Sequence, residues 1–184
     1  LERLVRRAGD LCRERRQEKE LAHMGESWET NRKKLLEGFW LDLIYGEIPS
    51  NRESIERAAR RRKLCLPARV LPVLISVRQQ NEEFFPEEDR LAEYALCNSA
   101  EEMILETRGV VLHLHHAKLL ALRYMEGKDG TGDMETLCEG YVQLAKKYFS
   151  CDVACCLGQP AEWEELAEMV ARRLFVDQHR AQHP

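Results

Sequence analysis

Over the first 36 residues, apolar and polar positions recur with the spacing of an α-helix. The segment contains no proline and is rich in Arg, Glu, Lys and Leu, which favours one long helix. An apolar stripe begins at Leu4, is lost through the charged run RERRQEKE at 13–20, and then returns in heptad steps. The returning stripe, called the dimer seam below, consists of Leu21, Met24, Trp28, Asn31 and Leu35. The pattern predicts a helical, coiled-coil-like linker over residues 1–36.

The narrowness of the dimer seam is typical of a helix that packs against one partner helix in a parallel coiled coil. Asn31 would fix the register of such a pair, and charged residues such as Glu20 and Arg32 lie to either side. We therefore expect a homodimer formed through the N-terminal helix. Because the charged run at 13–20 interrupts the stripe, an amphipathic helix lying on its own domain remains the alternative.

From Leu35 onwards the apolar face widens, which predicts a helix docked on a core. The widened face includes Leu36, Phe39, Trp40, Leu43 and Ile44. Gly46 is expected to end this helix, and Ser50 or Asn51 to cap a second one. The apolar face of the second helix includes Ile55, Ala58, Ala59 and Leu64. Residues 37–66 are thus predicted to form a helical lead-in packed on the core.

After Pro67 the pattern changes to alternating strands and helices. The run RVLPVLISV at 69–77 predicts a buried strand, in which Pro72 indicates an edge position or a bulge. A helix beginning at Pro86 precedes GVVLHLHHAKLLALRYM at 109–125, which predicts two strands of a hairpin. A helix from Asp133, a strand at 151–158 and a helix opened by Pro160 complete the series.

This series is βαββαβ followed by a helix, so the predicted fold class is α+β. Right-handed crossovers around one central hairpin predict a ferredoxin-like antiparallel sheet with packed helices over residues 67–176, preceded by the long N-terminal helix. The last residues, 177–184, show no periodicity and are predicted to be a disordered tail.

Composition and charge exclude some of the classes of protein to which the chain could belong. The hydrophobic fraction is 44%, enough for a core, and the formal net charge is −4, which gives no reason to expect direct contact with nucleic acid. No apolar run approaches the length of a membrane span, so no membrane association is expected. The chain begins with Leu1, in the middle of a predicted helix, and we expect it to be a fragment of a longer protein.

The cysteines indicate reduced thiols in a cytoplasmic protein. There are seven, an odd number, and none forms a C-x-x-C pair. Three lie close together as Cys151, Cys155 and Cys156. On a strand, Cys151 and Cys155 would share one face and Cys156 would take the other, so we interpret them as small core residues rather than a redox sensor.

Two histidines of the hairpin are candidate metal ligands. His113 and His115 form an H-x-H pair, which on a strand places both side chains on one face about 7 Å apart. No third ligand is evident nearby, and a polar outer face opposite Val110, Leu112 and Leu114 accounts for the same pattern. We therefore predict no metal site and no cofactor.

The order of elements resembles GGDEF domains, which carry their signature in the turn between the second and third strands; the equivalent turn here is HHAK. More closely, KKLLEGFWLDLIYGEIPSNRESIERAARRRKLCLPARVLPVLISV resembles the region between receiver and DNA-binding domain in AraC-type response regulators of the YesN kind. The phrase DVACCLGQPAEWEELAEMVARRL is similar to the last strand and helix of their degenerate GGDEF-like middle domain.

The resemblance implies a function in two-component signal transduction and transcription regulation. The receiver that is phosphorylated and the helix-turn-helix motifs that bind DNA would belong to other parts of the same chain. An active GGDEF enzyme needs carboxylates at the end of the first strand and in the hairpin turn to hold two Mg²⁺ ions. Here the strand ends Ser76-Val77-Arg78-Gln79 and the turn is His115-His116-Ala117-Lys118, so no enzymatic activity is expected.

We therefore expect a non-catalytic, cytoplasmic middle domain that relays dimerisation between receiver and DNA-binding domains. The alternative is a small-ligand or nucleotide sensor domain of a transcription factor, built on the same fold.

Overall fold

A computed structural model describes residues 30–78, 86–114, 118–126 and 132–170. The chain divides into two units, Leu1–Leu36 and Glu37–Pro184. Most of the predicted N-terminal helix and the predicted tail 177–184 lie outside the described residues.

Five helices and four strands follow one another in the described residues. They are α1 at 30–44, α2 at Arg52–Arg61, β1 at Arg69–Arg78, α3 at Pro86–Met103, β2 at Gly109–Leu114, β3 at Lys118–Met125, α4 at Met134–Phe149, β4 at Asp152–Leu157, and α5 at 163–170. None of these helices has the combined length and hydrophobicity that a bilayer crossing requires.

The four strands form one antiparallel sheet in the order β2-β3-β1-β4. Strand β1 lies in its interior, where Val73 is opposite Ala121 of β3 on one side and Leu157 of β4 on the other. The sheet with its helices confirms the predicted α+β class, and the hairpin expected at 109–125 is present as β2 and β3.

Helices cover both faces of the sheet. Alternate residues of the strands therefore enter two separate cores, one on each face. The first core contains α1, α2 and α5 side chains together with Val70 and Leu74 of β1. The second core contains α3 and α4 side chains together with Leu71, Val73 and Ile75. A strand that is buried on both faces has a continuous apolar sequence, which explains the run RVLPVLISV.

The lead-in helices are fixed to the first core by aromatic and polar contacts. Trp40 of α1 is fully buried, and its indole N–H donates to the Tyr124 hydroxyl of β3 at 3.0 Å. Asn51 caps α2 by accepting from the Ser54 amide at 2.9 Å, one of the two caps predicted from sequence. At the other end of α2, Arg62 pairs with Asp42 of α1.

Pro72 does not mark an edge strand, so that expectation was wrong. Its carbonyl accepts from the Gly158 amide at 2.8 Å, and Gly158 lies just past the last residue of β4. The backbone N and O of one strand residue point to the same neighbouring strand, here β4. The N–H that proline lacks would therefore point at a place where β4 has already ended, and little ladder hydrogen bonding is lost. A Cβ at Gly158 would stand 2.7 Å from the Pro72 ring, so glycine allows this close approach.

Candidate functional site

At one end of the sheet, the end of β1 lies beside the start of β3. Ser76 of β1 lies opposite Lys118, the first residue of β3, so the strand end and the turn are neighbours. Neither Ser76 nor Val77 carries a carboxylate, and the turn contributes Lys118. The other turn residues, including His115 and His116, lie outside the described residues. At the described positions Ser76, Val77 and Lys118, no side chain supplies the carboxylate ligand by which proteins usually bind Mg²⁺.

His113 does not lie on a polar outer face, which corrects the expectation from sequence. Strand β2 has helices on both sides: Val110, Leu112 and Leu114 enter the first core, and Val111 enters the second. His113 points to the same side as Val111, where α3 packs. Its side chain remains 51% exposed because it lies near the end of an edge strand.

Three side chains meet at this edge in a chain of polar contacts, which we call the Cys97 cluster. His113 Nε2 lies 3.2 Å from the Cys97 sulfur, and His113 Nδ1 lies 2.9 Å from Oε1 of Glu93. Glu93 and Cys97 are four residues apart on α3, so one helical face presents both to the imidazole. A carboxylate only accepts hydrogen bonds, so Nδ1 carries the proton and Nε2 is free to accept one from the thiol.

The Cys97 cluster was missed by sequence reasoning. The spacing of Glu93 and Cys97 on a predicted helix was a visible signal, but their partner is sixteen residues from Cys97 on a different element. Only the packing of α3 against β2 brings the imidazole to them. The i and i+4 pair together with a histidine on the following strand is the pattern that could have prompted the prediction.

The Cys97 cluster is not arranged as a metal site. Its thiol and carboxylate contact opposite nitrogens of one imidazole, so the three side chains do not converge on one point. Within the part of the chain that the structure describes, no three His, Cys, Asp or Glu side chains are grouped as metal ligands.

Other cysteines pack mainly as core residues. Cys151 and Cys155 contact the second core and Cys156 the first, as the strand pattern predicts. A hydrogen bond to Cys138, together with burial, raises the pKa of Cys155, so this thiol stays protonated at neutral pH. Burial likewise raises the pKa of Tyr141, whose hydroxyl donates to the Leu96 carbonyl at 3.0 Å.

The dimer seam is only partly within the described residues. Asn31 and Leu35 lie on α1, and both are exposed, Leu35 to 48%. Leu21, Met24 and Trp28 lie outside the described residues. An exposed leucine at a seam position is compatible with a partner helix, but single exposed apolar residues are common on protein surfaces.

The chain was compared with protein-family models, with curated proteins and with solved structures. None of the three comparisons gives a match.

Proposed function

We propose that this chain is the linker and degenerate GGDEF-like middle domain of an AraC-type response regulator. Its role is to relay dimerisation between a receiver and DNA-binding domains, without catalysis. The observation that supports the proposal best is the sheet order β2-β3-β1-β4, with a hairpin between β2 and β3 and helical crossovers α3 and α4. A βαββαβ chain with right-handed crossovers takes this ferredoxin-like order, which GGDEF domains share.

The chemistry at the end of β1 supports a module without cyclase activity. Nucleotide cyclisation needs carboxylates to hold two Mg²⁺ ions on a triphosphate. Ser76 and Val77 stand at the strand end, and the turn sequence is His115-His116-Ala117-Lys118. Histidine and lysine side chains at this place would repel a divalent cation when protonated and provide no carboxylate in either state.

The position of α1 supports a relay through the dimer seam. Asn31 and Leu35 are exposed near the start of this helix, whereas Phe39, Trp40 and Leu43 further along it are fully buried in the first core. Two chains joined by the seam would thus each have a helix whose later residues are held by the sheet.

A ligand sensor is the second candidate, and one surface groove bears on it. The groove is lined by Pro72, Leu74, Leu120, Cys156, Gly158, Met169 and Val170. Its interior of about 20 Å³ holds roughly one water molecule. That space is far too small for a nucleotide, so this groove gives the sensor hypothesis little support.

Incubation of the chain with GTP and Mg²⁺ should yield no cyclic dinucleotide, because neither Ser76 and Val77 nor the turn sequence His115-His116-Ala117-Lys118 supplies a carboxylate for metal binding. Chromatography of the reaction mixture checks this, with an active GGDEF enzyme as the positive control and heat-inactivated chain as the blank. GTP should also leave the melting temperature unchanged. Product above the blank would overturn the non-catalytic role, and a reproducible rise in melting temperature would favour the sensor, since a ligand stabilises the state that binds it.

A further inference from the structure

The contacts of the Cys97 cluster are those of a thiol prepared for reaction. A thiol reacts as its thiolate, and an imidazole at hydrogen-bond distance can accept the proton. The Cys97 sulfur and His113 Nε2 are 3.2 Å apart, within the distance that a sulfur hydrogen bond allows. Glu93, at 2.9 Å on the opposite nitrogen, fixes the tautomer and the orientation of the ring. The nucleophile Cys97 thus contacts the base His113, which in turn contacts the orienting carboxylate of Glu93.

We propose that Cys97 is a site of reversible oxidation by hydrogen peroxide and related small hydroperoxides. His113 accepts the thiol proton, and Glu93 is a positioning residue that acts through His113. This modification is independent of the proposed relay function and would add a redox input to the domain.

The reaction balances in protons and electrons. His113 takes the proton from Cys97, and the thiolate sulfur attacks one oxygen of the peroxide. A sulfur–oxygen bond forms, the oxygen–oxygen bond breaks, and the sulfur loses two electrons to the peroxide. The departing hydroxide takes the proton from the His113 imidazolium and leaves as water. The product is the sulfenic acid, which a thiol reductant can reverse.

Burial of the Cys97 sulfur limits which reagents can reach it. Cys97 is only 7% exposed, whereas His113 beside it is 51% exposed at the edge of the sheet. A small uncharged oxidant can reach a sulfur next to a half-exposed ring, but a bulky reagent cannot. Cys138 is also 7% exposed and faces the same second core, so it reports any opening of that core. A hydrogen bond with Cys155 lowers the pKa of Cys138, which makes it a stringent reference for Cys97. Cys65, which is exposed, is the accessible reference.

The test is the rate of sulfenic acid formation at each cysteine of the intact chain. Protein is treated with hydrogen peroxide at neutral pH, and the peroxide is removed with catalase at set times. The protein is then unfolded in denaturant that contains dimedone, and labelled peptides are quantified by mass spectrometry. We expect Cys97 to be labelled about tenfold faster than either Cys65 or Cys138, as for thiols activated by a basic neighbour. His113→Gln should remove this advantage. Glu93→Gln should reduce it while circular dichroism shows an unchanged fold.

Several results would overturn the proposal. Labelling of Cys97 no faster than that of Cys138 and Cys65 would mean that the contact with His113 gives the Cys97 thiol no advantage. A Cys97 rate in folded His113→Gln equal to that of the wild type would mean that the imidazole does not take the proton. If His113→Gln does not fold, the Glu93→Gln variant decides the question, and an unchanged rate there contradicts the positioning role.

Discussion

Replacing Trp40 with alanine should lower the free energy of unfolding by about 3–5 kcal/mol. The side chain is fully buried in the first core, and its ring stands edge-on to Phe39 with centroids 5.2 Å apart. Alanine would leave a cavity between α1 and the sheet and would remove the donor of the hydrogen bond to Tyr124. Chemical denaturation monitored by circular dichroism measures the change.

Two control variants separate the contribution of the hydrogen bond from that of the buried ring in the loss of stability expected for Trp40→Ala. Tyr124→Phe keeps the ring but removes the acceptor of the indole N–H, and it should cost about 1–2 kcal/mol. Tyr148→Ala removes an aromatic ring that is 66% exposed, and it should change stability by less than about 0.5 kcal/mol. A loss below about 1 kcal/mol for Trp40→Ala would contradict the docking of α1 on the sheet.

Replacing Gly109 with alanine should destabilise the domain by about 3 kcal/mol, because strain and a backbone clash act together. Gly109 begins β2 with a φ of +151°, a conformation that residues with a Cβ rarely adopt. An added Cβ would stand 2.1 Å from the Leu122 carbonyl oxygen of β3. The backbones of the hairpin would have to separate at that point, which would weaken the pairing of β2.

The same substitution at Gly38 is the matched control for Gly109. Gly38 lies within α1, and a Cβ there would have no neighbouring atom within 4 Å. Alanine favours a helix over glycine by roughly 0.5–1 kcal/mol, so Gly38→Ala should stabilise the domain. Urea denaturation of both variants measures the two shifts. A neutral effect of Gly109→Ala would show that the start of β2 is not bound to β3 as described.

The positions of helices and strands were easier to predict from the sequence than the contacts that each element makes with the others. The hairpin was predictable because two apolar runs flank a short turn, and the class followed from the order of strands and helices. The requirement for glycine at position 109 was not predictable, because it depends on the positive φ at that position and on how closely the β3 backbone approaches it. Pro72 was misinterpreted for a related reason: its tolerance in an interior strand depends on where β4 ends.

The candidate site shows the same limit. That Ser76 and Val77 at the end of β1 are not acidic could be read directly from the sequence once the strand was assigned. The role of His113 could not be read from the sequence. The alternation of strand residues shows on which face of β2 a side chain lies, but it does not show whether a helix covers that face. Helix α3 covers that face and brings Cys97 and Glu93 to the ring.

The self-association of the 184-residue chain tests the relay most directly. Light scattering over a range of concentrations would compare the wild type with the double variant Leu21→Asp/Trp28→Asp. His23→Asp/Thr30→Asp is the control, since it adds the same two acids at outward heptad positions. We expect a weak dimer for the wild type and the control, and a folded monomer with unchanged melting temperature for the seam variant. Monomers throughout, or unfolding of the seam variant, would contradict a relay through this helix.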